Sequence, residues 1–158
     1  MNSYRSAKET WFDRSAEDRE AWNNFRRAAG EIISHVDADL QHHLKVGYSD
    51  VDTLLQLSTS PSQCLRMATL ARAVSRTPST LTRLVDRLER RALVARKRNS
   101  RTDVQVEVTP KGIDVLNQAA PLIVEQVDIW FWSRLTKDER ATLSSLCKKL
   151  IDEKPECC

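Results

Sequence analysis

Between Met67 and Val108 the spacing of apolar residues changes once, from steps of three and four to steps of two. That change limits the segment to a pair of helices followed by a hairpin. Ala68, Leu70, Ala71 and Val74 mark one face of a first helix from about Met67 to Val74, and Ser75-Arg76 leaves room only for a tight connection. Thr77 and Pro78 then supply an N-cap hydroxyl and a first-turn proline, so a second helix starts there. Its apolar positions, Leu81, Leu84, Val85 and Leu88, again recur at three and four. After Arg91, Leu93 and Val94 lead into Arg96-Lys97-Arg98, residues 99–103 form a tip, and Val104, Val106 and Val108 alternate with Gln105 and Glu107. The pattern predicts a helix-turn-helix running into a two-stranded wing.

Charge falls on the same segment. Residues 66–101 hold eleven Lys/Arg against two acidic residues, a local charge of +9 in a chain whose total is +3. The remainder, with fourteen basic and twenty acidic residues, is −6. A basic stripe that coincides with a reading motif suits double-stranded DNA, because neutralised phosphates release condensed counterions. Ser79, Thr80, Thr82 and Arg83 lie off the apolar face of the second helix. Small hydroxyls there fit close to bases or phosphates, and an arginine can bind a guanine edge with two hydrogen bonds. With Thr77 these residues form the candidate DNA-binding face. Arg87 and Arg66 are expected to hold the backbone, and Arg96, Arg98 and Arg101 to contribute from the wing, with Arg101 at its tip. The alternative is a winged helix used as a protein-interaction module without specific DNA binding, which leaves the charge excess unexplained. There is no phosphate-binding loop, dinucleotide fingerprint, nucleophile elbow or zinc-protease motif, so no enzyme, cofactor or metal is expected.

The flanks read as helices. From Glu17 to Leu44, Trp22, Phe25, Ala29, Ile32, Ile33, Val36 and Leu40 recur at helical spacing; Gly47 ends that helix, and Ser49, Asp50 and Asp52 open a shorter one. Residues 58–63, with Pro61, are turn chemistry. Thr109-Pro110-Lys111-Gly112 starts a helix to about Ser133, which Pro121 should kink, and Thr136 with Glu139 forms a capping box for a last helix to about Asp152. The first and the two last helices carry more large apolar residues than one small winged helix can cover, so a homodimer is expected. The reading is a single, mostly α domain with a small β-wing: a winged helix-turn-helix lobe at 49–109 and dimerisation helices at 1–48 and 110–158. The start of the chain lacks a signal-like apolar run, and no segment nears the roughly 20 apolar residues of a membrane span, so a cytoplasmic protein without membrane association is expected.

Three stretches carry a resemblance: Leu65-Arg66-Met67-Ala68-Thr69-Leu70-Ala71, the run from Thr82 to Val94, and Val108-Thr109-Pro110-Lys111-Gly112. Together they resemble the multiple-antibiotic-resistance regulator (MarR) family of bacterial transcription factors, in a version common in actinobacteria, over nearly the whole chain from about Trp11 to Leu150. The resemblance implies an obligate winged-helix homodimer that binds pseudo-palindromic double-stranded DNA, a repressor released by a small-molecule effector or an oxidant. It also implies an effector pocket near His42, Tyr48 and the early part of the helix after Gly112. Arg101 matches the family's wing arginine without its usual Asp partner, and Ala92 stands where the family usually has Gly, so the second helix should end less sharply.

The four cysteines are few and scattered, which suits reduced thiols. Cys64, two residues from Arg66, is the candidate redox-sensing residue, with a small apolar plug as the plainer role. Cys147 reads as buried in the dimer, and Cys157-Cys158 as a tail. His35 and His42 share a helix face beside His43, but no carboxylate or cysteine at ligand spacing completes a metal site. Trp130-Phe131-Trp132 reads as packing.

Overall fold

The computed structural model describes residues 10–98 and 104–152. In chain order its elements are α1 (Ala16–Leu44), α2 (Tyr48–Ser58), β1 (Cys64–Arg66), α3 (Met67–Ala73), α4 (Pro78–Arg90), β2 (Val94–Arg98), β3 (Val104–Val108), α5 (Pro110–Trp130), a 3-10 turn (Trp132–Arg134) and α6 (Lys137–Asp152). The strands form an antiparallel sheet in the order β1-β3-β2, with Cys64 opposite Glu107 and Arg96 opposite Val106.

The helix-turn-helix follows the expected chemistry. α3 closes with Arg76 N donating to Ala71 O (2.9 Å), and Ser75 takes a left-handed φ of 50° in the turn. Thr77 caps α4, its hydroxyl accepting from Thr80 N, and Pro78 occupies the first turn. Leu81, Leu84, Val85 and Leu88 are buried with Leu54, Leu57, Leu70, Leu93, Val94 and Val106 in one core, each contributing about 1.5–3 kcal/mol over an exposed side chain. α4 ends as sharply as a glycine would allow: Leu93 N donates to Leu88 O (3.0 Å) while Ala92 sits at φ 58°. The expectation of a looser end is corrected, because the downstream strand pairing imposes the left-handed residue despite its Cβ.

Thr109-Pro110-Lys111-Gly112 locks this corner. Thr109 Oγ1 accepts from Gly112 N (3.1 Å) and donates to Ala92 O (2.8 Å), and Lys111 Nζ donates to Arg91 O (3.0 Å). Gly112 is required, since a Cβ there would lie 2.3 Å from Leu93 O and 2.8 Å from Val108 Cγ2.

Three further expectations change. The wing is part of a three-stranded sheet, because β1 is too short to show an alternating pattern and exists through its pairing with β3. α5, with Pro121 inside it, stops at Trp130, three residues early, where Phe131 leaves helical geometry (φ −130°, ψ −64°) and a 3-10 turn follows. α2 begins at Tyr48, with Gly47 as its N-cap residue and Gly47 N donating to Asp50 Oδ2 (3.0 Å). α1 packs mainly on α5 and buries only Val36 and Leu40, and its first half is exposed. The capping box of α6 forms as read, with Thr136 N donating to Glu139 Oε2 (2.8 Å).

Candidate nucleic-acid interface

With its apolar face buried, α4 presents Ser79, Thr80, Thr82, Arg83 and Arg87 on exposed positions, beside the exposed cap residue Thr77. The Thr77 hydroxyl meets those of Thr80 (2.9 Å) and Ser79 (3.2 Å), and Thr82 Oγ1 donates to Pro78 O (2.9 Å), which leaves its oxygen lone pairs outward. A cleft of about 340 Å³ opens beside this face, lined by Ser49, Arg76, Thr80, Arg83, Leu84 and Arg87. Arg76 Nη2 donates to Ser49 Oγ across it (2.9 Å). Sequence reasoning missed Ser49 and Arg76 as site residues: one read as a helix start, the other as part of a turn.

The arginines divide by what they already hold. Arg87 donates through Nε (3.1 Å) and Nη2 (2.5 Å) to Oδ1 of Asp50, a carboxylate with only 3% of its side chain exposed. Arg91 donates to the carbonyls of Lys45 (2.6 Å) and Leu44 (3.3 Å), so consecutive turns of α4 are fastened to the α1–α2 junction. Arg96 is gripped by Asp86 (2.6 Å) and Glu89 (2.6 Å), which tie β2 to α4. Arg87 and Arg96, expected at DNA, are thus first of all internal braces. Arg66 is exposed where β1 meets α3. Arg83 has no hydrogen-bond or ion-pair partner among the described residues. Arg98 ends β2 opposite Val104, while its side chain and Arg101 lie outside the described residues.

Cys64 departs from its expected activation. Its thiol is half-buried and contacts Gln105 Oε1 (3.4 Å); burial and the charge of Glu107 push its pKa up, against a smaller pull from Lys97. Glu107, directly opposite Cys64 in the sheet, repels a thiolate although it is ion-paired to Lys97, and Arg66 is not among the charges that shift the thiol. A raised pKa lowers thiolate content and slows oxidation.

His42 and Tyr48, expected near an effector pocket, lie apart from the apolar groove that the fold forms. A groove of about 480 Å³ lies between α2 (Val51, Leu55, Ser58) and α5 (Ile113, Leu116, Asn117, Ala120, Ile123, Val124). It takes in the early part of α5, but neither His42 nor Tyr48 lines it, because it opens one turn further along α2. His42 is exposed, edge-on to His43 (4.7 Å); Tyr48 is half-buried, and burial followed by Asp52 raises its hydroxyl pKa. His35 stacks flat on Trp130 at 3.8 Å, and the Arg134 guanidinium lies 4.4 Å from the same ring, so Trp130 packs α5 on α1. Among the described residues no cluster of His, Cys, Asp or Glu could hold a metal ion, and no helix is long and apolar enough to cross a membrane.

Comparison with known proteins gives this geometry its setting. The MarR family model matches residues 48–101. A MarR family transcriptional regulator from Streptomyces coelicolor, solved in complex with DNA, superposes with a TM-score of 0.83 at 27% identity, covering 91% of this chain and 93% of that one. AbsC, another MarR family regulator from Streptomyces coelicolor, matches with a TM-score of 0.80 at 23% identity over 88% of this chain and 95% of its own. A mutant of MarR from E. coli, complexed with operator DNA, matches with a TM-score of 0.74 at 24% identity over 85% and 95%. No curated protein matches the sequence significantly. The chain is thus similar to the MarR family over residues 48–101, and its fold is the winged helix of the MarR family regulators on which it superposes.

Proposed function

We propose that the protein is a homodimeric transcriptional repressor that binds pseudo-palindromic double-stranded DNA and releases it when a small molecule binds. The observation that carries this reading is the exposed first turn of α4: hydroxyls of Thr77, Ser79, Thr80 and Thr82 with Arg83, which has no partner among the described residues, in the segment that concentrates the chain's positive charge. An α-helix presented end-on in this way fits the major groove. Residues 49–109 form the reading lobe, Arg66 and Arg76 meet phosphates, and the wing reaches the flanking backbone. The terminal helices supply the dimer, since Trp22 and Phe25 of α1 and Leu146, Leu150 and Ile151 of α6 are exposed in the single chain. The α2–α5 groove, apolar but for Asn117 and Ser58, suits a small and mainly apolar effector better than an oxidant suits Cys64.

Titrating the full chain against duplexes selected by the protein itself tests the reading. Log affinity should fall against log salt with a slope of about −0.9 per phosphate contact. Half-sites should lie about 10 base pairs apart, so an insert of about five base pairs should abolish tight binding. Arg83→Ala should cost about 1–3 kcal/mol per half-site on the selected duplex and much less on a scrambled one. A complex indifferent to salt, to the insert and to sequence returns the protein to the interaction-module alternative.

A further inference from the structure

The cleft between α2 and the start of α4 carries more positive charge than the fold itself consumes. Arg76, Arg83 and Arg87 converge on it, and among these three arginines Asp50 pairs with Arg87 alone. Asp52 lies near enough to Arg76 to interact electrostatically with it, yet no ion pair forms between them among the described residues. The Arg76 hydrogen bond to Ser49 uses one terminal nitrogen and orients the planar fork, leaving its other N–H groups available. Ser49 Oγ, as acceptor in that bond, keeps its own O–H to donate, and the Thr80 hydroxyl stands on the opposite wall. Leu84 is the one apolar side chain lining the cleft, so a ligand stacked on an apolar floor is disfavoured and a compact oxyanion is favoured.

We propose that this cleft seats a single phosphodiester of the DNA backbone, bound by the Arg76 fork with Ser49 and Thr80. The seat rests on the DNA-binding reading above and adds a division of labour to it. Ser49 belongs to α2 and Arg76 to the turn before α4, so a phosphate held by both fixes how far α4 enters the groove. Arg83, on the other side of the cleft, then reads a base from a set depth.

The test uses the full chain and two duplexes, one selected and one scrambled, titrated over a salt series. Arg76→Ala should weaken both duplexes alike, by about tenfold per head, as expected for a charge-assisted hydrogen bond. It should also flatten the salt slope by about two per dimer, one per head. Ser49→Ala, which keeps the charge, should weaken binding without changing the slope. Replacing phosphates one at a time with neutral methylphosphonate should reveal one position per half-site that costs the wild type affinity but not Arg76→Ala. Free inorganic phosphate at millimolar concentration should not compete, because a lone ion lacks the register supplied by the duplex. If wild type shows no salt-dependent duplex binding, the regulator reading itself fails. If wild type binds but Arg76→Ala keeps the full slope, or both proteins respond identically at every methylphosphonate position, the seat alone is overturned.

Discussion

The reading lobe and the chain ends use similar residues to opposite effect. Leu54, Leu57, Leu70, Leu81 and Leu88 are wholly buried within one chain, whereas Leu150 and Ile151 of α6 are 68% and 73% exposed and Trp22 of α1 is 52% exposed. α6 has a good capping box but no extensive packing on any other described element. A lobe closed by its own side chains can hold its geometry alone; an amphipathic helix with an uncovered apolar face is half of an interface. In the proposed dimer the lobe would set what is recognised, and the ends how far apart two lobes stand.

The contrast breaks most visibly at α6. Leu146→Glu combined with Leu150→Glu should dissolve the dimer and weaken operator binding by about a hundredfold to ten-thousandfold, since two linked half-sites lose their avidity. The lobe should stay folded by circular dichroism. Sedimentation showing an intact dimer would refute the assignment of the ends.

Glycine substitutions compare the two regions directly. Gly112→Ala drives a Cβ against the Leu93 carbonyl and should cost about 3–4 kcal/mol in urea unfolding. Gly30→Ala, in α1 with nothing within 4 Å of the new Cβ, should gain about 0.5–1 kcal/mol. A loss at Gly30 would instead put that face against the second copy.

Arginines in α4 sharpen the comparison inside the lobe. Arg87→Ala leaves the buried Asp50 carboxylate without its cation and should cost about 2–3 kcal/mol of stability, near the lower end for a broken buried pair because Arg87 itself is half-exposed. Arg83→Ala should change stability by less than about 0.5 kcal/mol while impairing DNA binding. Equal losses of stability for the two would erase the distinction between brace and reader.

Smaller effects belong to the lobe's edges. Ala92→Gly relieves a left-handed residue and should stabilise by about 1 kcal/mol, read as a raised urea midpoint at constant slope. Asp52 has its pKa raised, chiefly by burial, so the folded state binds its proton more tightly than the unfolded chain does. Its contribution favours folding when protonated and is lost as pH rises through the raised pKa, leaving a half-buried charge as a cost at neutral pH. Asp52→Asn should therefore stabilise the protein at pH 7 by less than Ala92→Gly does. The gain should shrink as pH falls through the carboxylate range, and a gain independent of pH would show that charge is not its cause.

Much of the lobe was legible because its signals are local. The N-cap at Thr77, the proline after it, the Thr109 hydroxyl capping Gly112 N and the capping box of α6 each lie within four residues of the groups they satisfy. The hydroxyl face of α4 followed from the same short-range periodicity. What escaped was non-local. β1 spans three residues and acquires strand geometry from β3, some forty positions away. Asp50 read as a favourable charge in a first turn, yet its partner is thirty-seven residues off.

Sequence alone therefore determined the order of the helices and of the two wing strands, most of the caps that delimit them and the residues that α4 turns outward, because each depends on neighbours one or two turns away. Tertiary structure alone decided which cations are spent. Arg87 and Arg96 are drawn into Asp50, Asp86 and Glu89, while Arg76 is left oriented on Ser49 at the mouth of a cleft. Coulomb attraction acts on distance through space, and the fold, bringing α2 against α4 and β2 against α4, sets those distances.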